Sequence, residues 1–281
     1  MQRVQRLAKR PETVRTFLRG SLDKITLASL KAASREQGLD AYMVRLAGIV
    51  SDITDQYTTF RVNTEIMNYK VRLLHAFQIR LVEQALNRIK DIKTIVDIGD
   101  SSGAHLQYIR SLFGRYNTIS VNLDPIAVKK IHDKGLNAVL GRAEELHTLG
   151  IKADLYLCLE TLEHLFDPVS FLKKLSTTGC QGFVVTVPYV AKSQVGLHHL
   201  RYDQKVNLCA ENTHIFELSP DDWRLLFRFS GWRVSYDDIL YQYPRRHPLR
   251  LTKTIWRSRD FEGFYGAVLI PDNTWSKLYQ W

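Results

Sequence analysis

Between Met67 and Ile89, apolar residues fall at Met67, Val71, Leu74, Leu81, Ala85 and Ile89, close to a 3.6-residue period. That spacing predicts one long amphipathic helix whose apolar stripe lies against a second layer. Residues 1–92 as a whole read as a helical N-terminal region. From Thr94 the pattern changes. Short apolar runs near 94–99, 118–123, 137–140, 154–159 and 182–187 alternate with helical segments near 103–113, 125–134, 168–176 and 220–230. Strands separated by helices predict an α/β domain over residues 93–281, with a parallel sheet covered on both faces. Two more apolar segments, Trp232 to Leu240 and Gly263 to Ile270, arrive without a clear helical spacer.

A chain of 281 residues, 45% hydrophobic and 24% charged, can bury one full core and a small appendage. No run approaches the roughly 18 apolar residues that span a bilayer, and Arg3, Arg6, Lys9, Arg10 and Pro11 interrupt any apolar signal core. A cytoplasmic protein without a transmembrane segment is expected. Cys158, Cys180 and Cys209 are odd in number and widely spaced, which argues against a disulfide framework and a zinc site.

The formal charge of +10 is concentrated in two places. Residues 1–35 carry nine Lys or Arg against Glu12 and Asp23, and residues 241–260 carry six against Asp260. Such regions are either solvated surface or a field for an anionic partner, whether phosphorylated substrate, nucleic acid or membrane. The segment Pro244-Arg245-Arg246-His247-Pro248-Leu249-Arg250 would meet a substrate carrying phosphate, sulfate or carboxylate.

The candidate chemistry begins at Asp97-Ile98-Gly99-Asp100-Ser101-Ser102-Gly103, directly after the first apolar run. Glycines there let the backbone turn sharply and approach a ligand, and the helix that follows aims its first amides at the same place. A later strand ends in Glu160, and Glu163 and His164 follow at spacings that one helical turn would bring together. The connection from Pro188 to Pro220 is long for an α/β unit and contains His198, His199, Arg201, Tyr202, Asp203 and His214, as a substrate cover would.

Over most of residues 93–240 these pieces resemble the class I S-adenosylmethionine-dependent methyltransferases. The resemblance implies a doubly wound, mostly parallel seven-stranded Rossmann-like sheet in which the last two strands pair and one is antiparallel. It implies S-adenosyl-L-methionine as cofactor, with Asp97 orienting its polar groups and Gly99 and Gly103 approaching it. Ser101 stands where the family has its middle glycine. The segment Ile119-Ser-Val-Asn122-Leu-Asp124-Pro125 resembles the strand whose terminal acid binds the ribose, so either Asn122 or Asp124 takes that role. Residues 141–146 resemble the adenine loop, with Ala143 offering its amide beside Glu144, although Arg142 replaces the usual aspartate. Glu160 would line the same pocket.

The segment Asn212-Thr-His214-Ile-Phe-Glu217 with the earlier Glu160-x-x-Glu163-His164 is also similar to the 3′-terminal 2′-O-methyltransferases of small RNAs. Their pattern implies a divalent metal, Mg²⁺ or Mn²⁺, on Glu160, Glu163, His164 and His214. The favoured expectation is O-methylation of a small metabolite, sugar or lipid-linked intermediate, with His214 or His164 as the catalytic group. A metal-dependent RNA 2′-O-methyltransferase and a degenerate, non-catalytic binding subunit are the alternatives.

Overall fold

In the computed structural model, residues 12–195, 213–259 and 261–278 are described. His198, His199, Arg201, Tyr202 and Asp203, read above as part of a substrate cover, lie outside them.

Among the described residues, three helices precede the sheet: α1 (Glu12–Glu36), α2 (Asp40–Ile49) and α3 (Glu65–Arg88). The periodic stripe predicted between residues 67 and 89 is α3. It starts where Thr64 accepts a hydrogen bond from the Met67 amide and buries Val71, Leu74, Leu81 and Ala85. Its partner is the sheet. At Gly266 an added Cβ would lie 2.2 Å from Leu81 Cδ1 and 2.9 Å from Phe77 Cε1, so the missing side chain is what lets α3 sit this close.

The sheet comprises β1 (Thr94–Ile98), β2 (Asn117–Asn122), β3 (Asn137–Leu140), β4 (Leu155–Leu159), β5 (Gly182–Tyr189), β8 (Trp232–Tyr241) and β9 (Gly263–Pro271). A two-residue ribbon pairs β6 (Gln194–Val195) with β7 (Phe216–Glu217). The strand order in the main sheet is β3-β2-β1-β4-β5-β9-β8; β9 runs antiparallel to both neighbours and the other pairings are parallel. The two late apolar segments are therefore the last pair, as expected. Side chains alternate between faces. Ile95, Leu155, Leu157 and Val184 join the core under α3, whereas Val96, Tyr156, Cys158, Phe183 and Val185 join a second core with Phe171, Trp223 and Trp232.

The helices between strands are α4 (Ala104–Phe113), α5 (Pro125–Asp133), α6 (Pro168–Ser176) and α7 (Pro220–Phe229); α8 (Lys253–Arg259) and α9 (Thr274–Leu278) come late. Helices α5, α6 and α7 share one start: a capping Asp124, Asp167 or Ser219, then proline. The cap accepts an otherwise unpaired amide, and proline at the first position gives up a donor that the helix does not need. Among the described residues, no helix is long and apolar enough to cross a membrane.

Candidate functional site

The carboxyl ends of β1, β2, β4 and β5 meet at one edge of the sheet, where open α/β folds bind ligands. β1 ends at Ile98, and Gly99 turns away with φ +94, a conformation that favours glycine. The turn is close to other groups as well: a Cβ on Gly99 would lie 2.1 Å from Thr161 Oγ1. Gly103, at φ +76, caps α4, and a Cβ there would meet Leu136 Cδ1 at 2.7 Å. Gly99 thus clears space toward β4, and Gly103 clears it toward the layer behind the loop.

The two serines of the loop are held by the N-terminal region. Ser101 Oγ donates to the Gln56 carbonyl at 2.8 Å, and Ser102 Oγ to Gln56 Oε1 at 2.8 Å. The hydroxyl at the middle-glycine position is therefore a tether for the loop before α3. Lys134 reinforces it by donating to the Ser102 carbonyl at 2.7 Å.

Asp100 folds back to accept from the amides of Ser102 and Gly103 at 3.1 and 2.8 Å. Burial, and then the nearby Asp97 carboxylate, push its carboxyl up to about 6. His105, on the first turn of α4, places Nδ1 3.4 Å from Asp97 Oδ2, and its pKa rises above the ordinary value because the two carboxylates outweigh burial.

Asn122 and Asp124 both have structural work. The Asn122 amide donates to the Asp100 carbonyl at 3.0 Å, and its oxygen accepts from the Asp124 amide at 2.8 Å. Asp124 Oδ1 caps α5 by accepting from Ile126. Beyond them Leu123 and Leu140, at the ends of adjacent β2 and β3, stand 46% and 54% exposed, an apolar ledge suited to a flat ring. Ala143 opens a 3-10 turn, Ala143–Thr148, and Arg142 lies 3.7 Å from Glu144. The sequence pattern did not single out Leu123 or Leu140 because one apolar residue at a strand end is ordinary.

After β4, Glu160 adopts φ +56, uncommon for a residue with a side chain, while its amide donates to the Thr186 carbonyl at 2.9 Å. A single 3-10 turn, Leu162–His164, follows in place of the α-helical turn that the spacing suggests. Glu163, His164 and His214 bring one ligand atom each to within 4.8 Å of one another, and Glu160 does not join that group. Two links fix the meeting: the Ile215 amide donates to the Glu163 carbonyl at 2.8 Å, and His164 Nδ1 is 2.9 Å from the Thr213 carbonyl. Donation by Nδ1 leaves the lone pair on Nε2, which faces Glu163 Oε1 at 3.8 Å.

Burial, and then the His214 ring, lower the His164 pKa to about 3, so the imidazole is neutral as a metal ligand must be. Burial and the neighbouring Glu160 and Glu217 raise Glu163 well above the carboxylate range, and among the described residues neither of its oxygens has a hydrogen-bond partner. His214 stacks on Phe261 and sets Nδ1 3.5 Å from Glu217 Oε1. Glu217 is buried and accepts from Gln194 Nε2. Glu217 lies only three residues after His214, and the turn into β7 brings the two side chains together, while Gln194 reaches Glu217 from across the small ribbon. The imidazoles of His164 and His214 with the Glu163 carboxyl are ligand types that a divalent cation takes, and the His214–Glu217 pair fits a histidine base oriented by a carboxylate.

Two cavities lie elsewhere. One of about 30 Å³ lies behind Ala143, Leu146, Tyr156 and Phe171, and one of about 630 Å³ runs along edge strand β8 past Arg80, Arg224, Asp237 and Asp238. The carboxyl end of β8 leads into Arg245 and Arg246, whose amides are held by Glu36 at 2.9 and 3.0 Å; both side chains are exposed.

Comparison with known proteins agrees with this geometry. Residues 96–182 match a family described as a methyltransferase domain. A search of curated protein sequences gives no match. Among solved structures, a chain from the complex of the Haloferax volcanii Trm112 methyltransferase activator with a methyltransferase is 17% identical, with TM-score 0.51 over 83% of this chain and 95% of that one. A sarcosine dimethylglycine methyltransferase of Galdieria sulphuraria is 12% identical, with TM-score 0.52 over 75% and 88%. Phosphoethanolamine N-methyltransferase 2 of Haemonchus contortus, in complex with S-adenosyl-L-methionine, is 11% identical, with TM-score 0.51 over 70% and 52%. With the strand order and the glycine turn after β1, the chain has a Rossmann-like methyltransferase fold, and its residues 96–182 are similar to the methyltransferase domain family.

Proposed function

We propose that this protein binds S-adenosyl-L-methionine at the turn after β1 and methylates a hydroxyl of an anionic small metabolite, sugar or lipid-linked intermediate. When bound, the cofactor supplies a methyl group on sulfonium sulfur. The chain's residues fit it. Gly99 leaves the turn open above β1, Leu123 and Leu140 give an apolar ledge for adenine, and Ala143 offers its amide beside Glu144. For the ribose, Asp124 is the better placed of the two candidates, since both polar atoms of the Asn122 side chain are engaged within the protein.

A hydroxyl acceptor has to lose a proton, and the observation that carries the proposal is the pairing of half-buried His214 with buried Glu217 beside Glu163 and His164. Glu217 orients the imidazole and His214 accepts the acceptor's proton. His164, which already donates to the Thr213 carbonyl, positions that corner of the site. Arg245 and Arg246, at the same end of the sheet, favour an acceptor that carries negative charge.

One observation favours a second reading: Glu163, His164 and His214 can jointly ligate Mg²⁺ or Mn²⁺. Such an ion would polarise the hydroxyl, and an RNA 3′ end is the acceptor class that the sequence pattern implies. Titration with S-adenosylmethionine, then an acceptor screen with anionic sugars, lipid-linked sugars and short RNAs, each with and without metal, tests both readings. Absence of cofactor binding would leave a non-catalytic binding subunit.

A further inference from the structure

A chain of buried polar side chains runs under the cofactor loop and is not used by the chemistry above. Thr186 on β5, Gln78 on α3, His105 on α4 and Asp97 on β1 are each at least 95% buried. Gln78 Nε2 donates to Thr186 Oγ1 at 3.1 Å. The Gln78 oxygen therefore faces His105 Nε2 at 2.8 Å, and that nitrogen carries a proton. The other ring nitrogen, Nδ1, looks at Asp97 Oδ2 across 3.4 Å, and Asp97, Asp100 and His105 each bring one ligand atom to within 4.8 Å of the others; among the described residues Nδ1 and the Oδ2 atoms of both aspartates have no hydrogen-bond partner.

A bare lone pair on Nδ1 would oppose two carboxylates in a site closed to water. A proton there turns the repulsion into attraction, which at low dielectric outweighs the cost of burying the ring's charge. We infer that His105 is a positioning residue: its imidazolium, held by Gln78, clamps the Asp97 and Asp100 carboxylates together and so fixes the turn from Gly99 to Gly103 in its cofactor-binding form. Asp100 links the clamp to the loop through the Ser102 and Gly103 amides that it accepts. The inference rests on cofactor binding at this turn, as proposed above.

Titratable and charged groups lie near the ring on every element packed around it. α3 brings His75, whose ring centre is 5.0 Å away, and Arg72 beyond it; α4 brings Tyr108; β1 and the loop bring Asp97 and Asp100; β4 brings Cys158 near Asp97. His75 is held neutral and Tyr108 protonated by burial, so the two carboxylates decide the direction. The clamp is present below the raised pKa of His105 and is lost as pH rises through it.

The test measures S-adenosylhomocysteine affinity by calorimetry from pH about 6 to 9, with ¹⁵N NMR of the histidine rings. His105→Ala should weaken binding by about tenfold. His105→Asn, which keeps a donor toward Asp97 but does not titrate, should recover most of the affinity and abolish the high-pH loss. Gln78→Glu should move the midpoint of that loss upward. A neutral His105 ring at pH 7 in the parent, or His105→Ala and His105→Asn binding with the parent's affinity and pH profile, would overturn the inference. If the parent binds no S-adenosylhomocysteine at any pH, the cofactor reading fails, and the ring's protonation state still decides whether the clamp exists.

Discussion

The side-chain amide of Asn122 donates to the main-chain carbonyl of Asp100 across 3.0 Å, tying the end of β2 to the loop after β1. Its carboxamide oxygen holds the Asp124 amide at 2.8 Å, so one residue links both turns. A carboxylate at position 122 would lack the amide donor and set its charge against the Asp100 carbonyl. The asparagine at position 122 is thus explained by this bridge, and under the proposed function the ribose falls to Asp124.

Substitutions at the two positions should separate those roles. Asp124→Ala is expected to weaken S-adenosylhomocysteine by about 1.5 to 3 kcal/mol, the value of a charge-assisted bond, and to cost about 1 kcal/mol of stability through the lost cap on α5. Asn122→Ala should lower the thermal midpoint and weaken binding less. Calorimetry together with thermal melts checks this, and equal losses of affinity would return the ribose to Asn122.

Gly99→Ala sets a Cβ against Thr161 Oγ1 in a backbone conformation disfavoured for side chains. We expect a stability loss of about 1 to 3 kcal/mol. Thr161→Ala in the same chain should recover part of it by removing the clash, while cofactor binding stays impaired. Gly103→Ala meets only the end of the Leu136 side chain and should cost about 1 to 2 kcal/mol, mainly from its positive φ. Urea titration of the three variants gives the comparison.

Chelation distinguishes the two uses of the His164–His214 corner. If a metal acts there, exhaustive chelation should stop turnover without changing S-adenosylmethionine affinity, Mn²⁺ or Mg²⁺ should restore it, and Glu163→Gln should mimic the chelator. If His214 is the base, activity survives chelation, and His214→Ala lowers kcat by about 10²- to 10⁴-fold. Glu217→Gln should then give an intermediate loss with KM little changed.

His75 supplies a stability signature. Burial, and then the positive charge of His105 and Arg72, hold its pKa well below the ordinary 6.5. The folded protein keeps it neutral while the unfolded chain takes up a proton, so stability is full above about pH 6.5 and falls as the pH drops below that value. Each such histidine contributes a slope of up to about 1.4 kcal/mol per pH unit. Urea midpoints measured between neutral and mildly acidic pH should fall less steeply in His75→Leu than in the parent.

Much of the scaffold was legible locally. The 3.6-residue stripe of α3, the cap-and-proline starts at Asp124, Asp167 and Ser219, and the apolar runs of β1, β4 and β5 each depend on interactions within a few residues or on burial that favours one side-chain type. The glycine turn was readable for the same reason, since a positive φ is a property of one residue. The Glu160–His164 turn was not: an i, i+3, i+4 spacing suits an α-helical turn, yet the chain leaves β4 through a strained Glu160 and a 3-10 turn.

Sequence alone determined the main strands of the large sheet, the helices between them and their order, because periodicity, caps and strand-forming runs are short-range signals. Only the tertiary structure decided what the polar side chains face. Gln56 precedes Ser101 by 45 positions, Gln78 lies 27 before His105, and His164 lies 49 from its partner Thr213. Such pairs leave no periodic trace, since a hydrogen bond between distant segments depends on how helices and strands pack and not on the spacing of residues along the chain. The assignments of Ser101 as a tether and Asn122 as a bridge, and the meeting of the His214 segment with Glu163, are accordingly properties of the folded protein, in which the loop before α3 meets the loop after β1 and the approach to β7 meets the turn after β4.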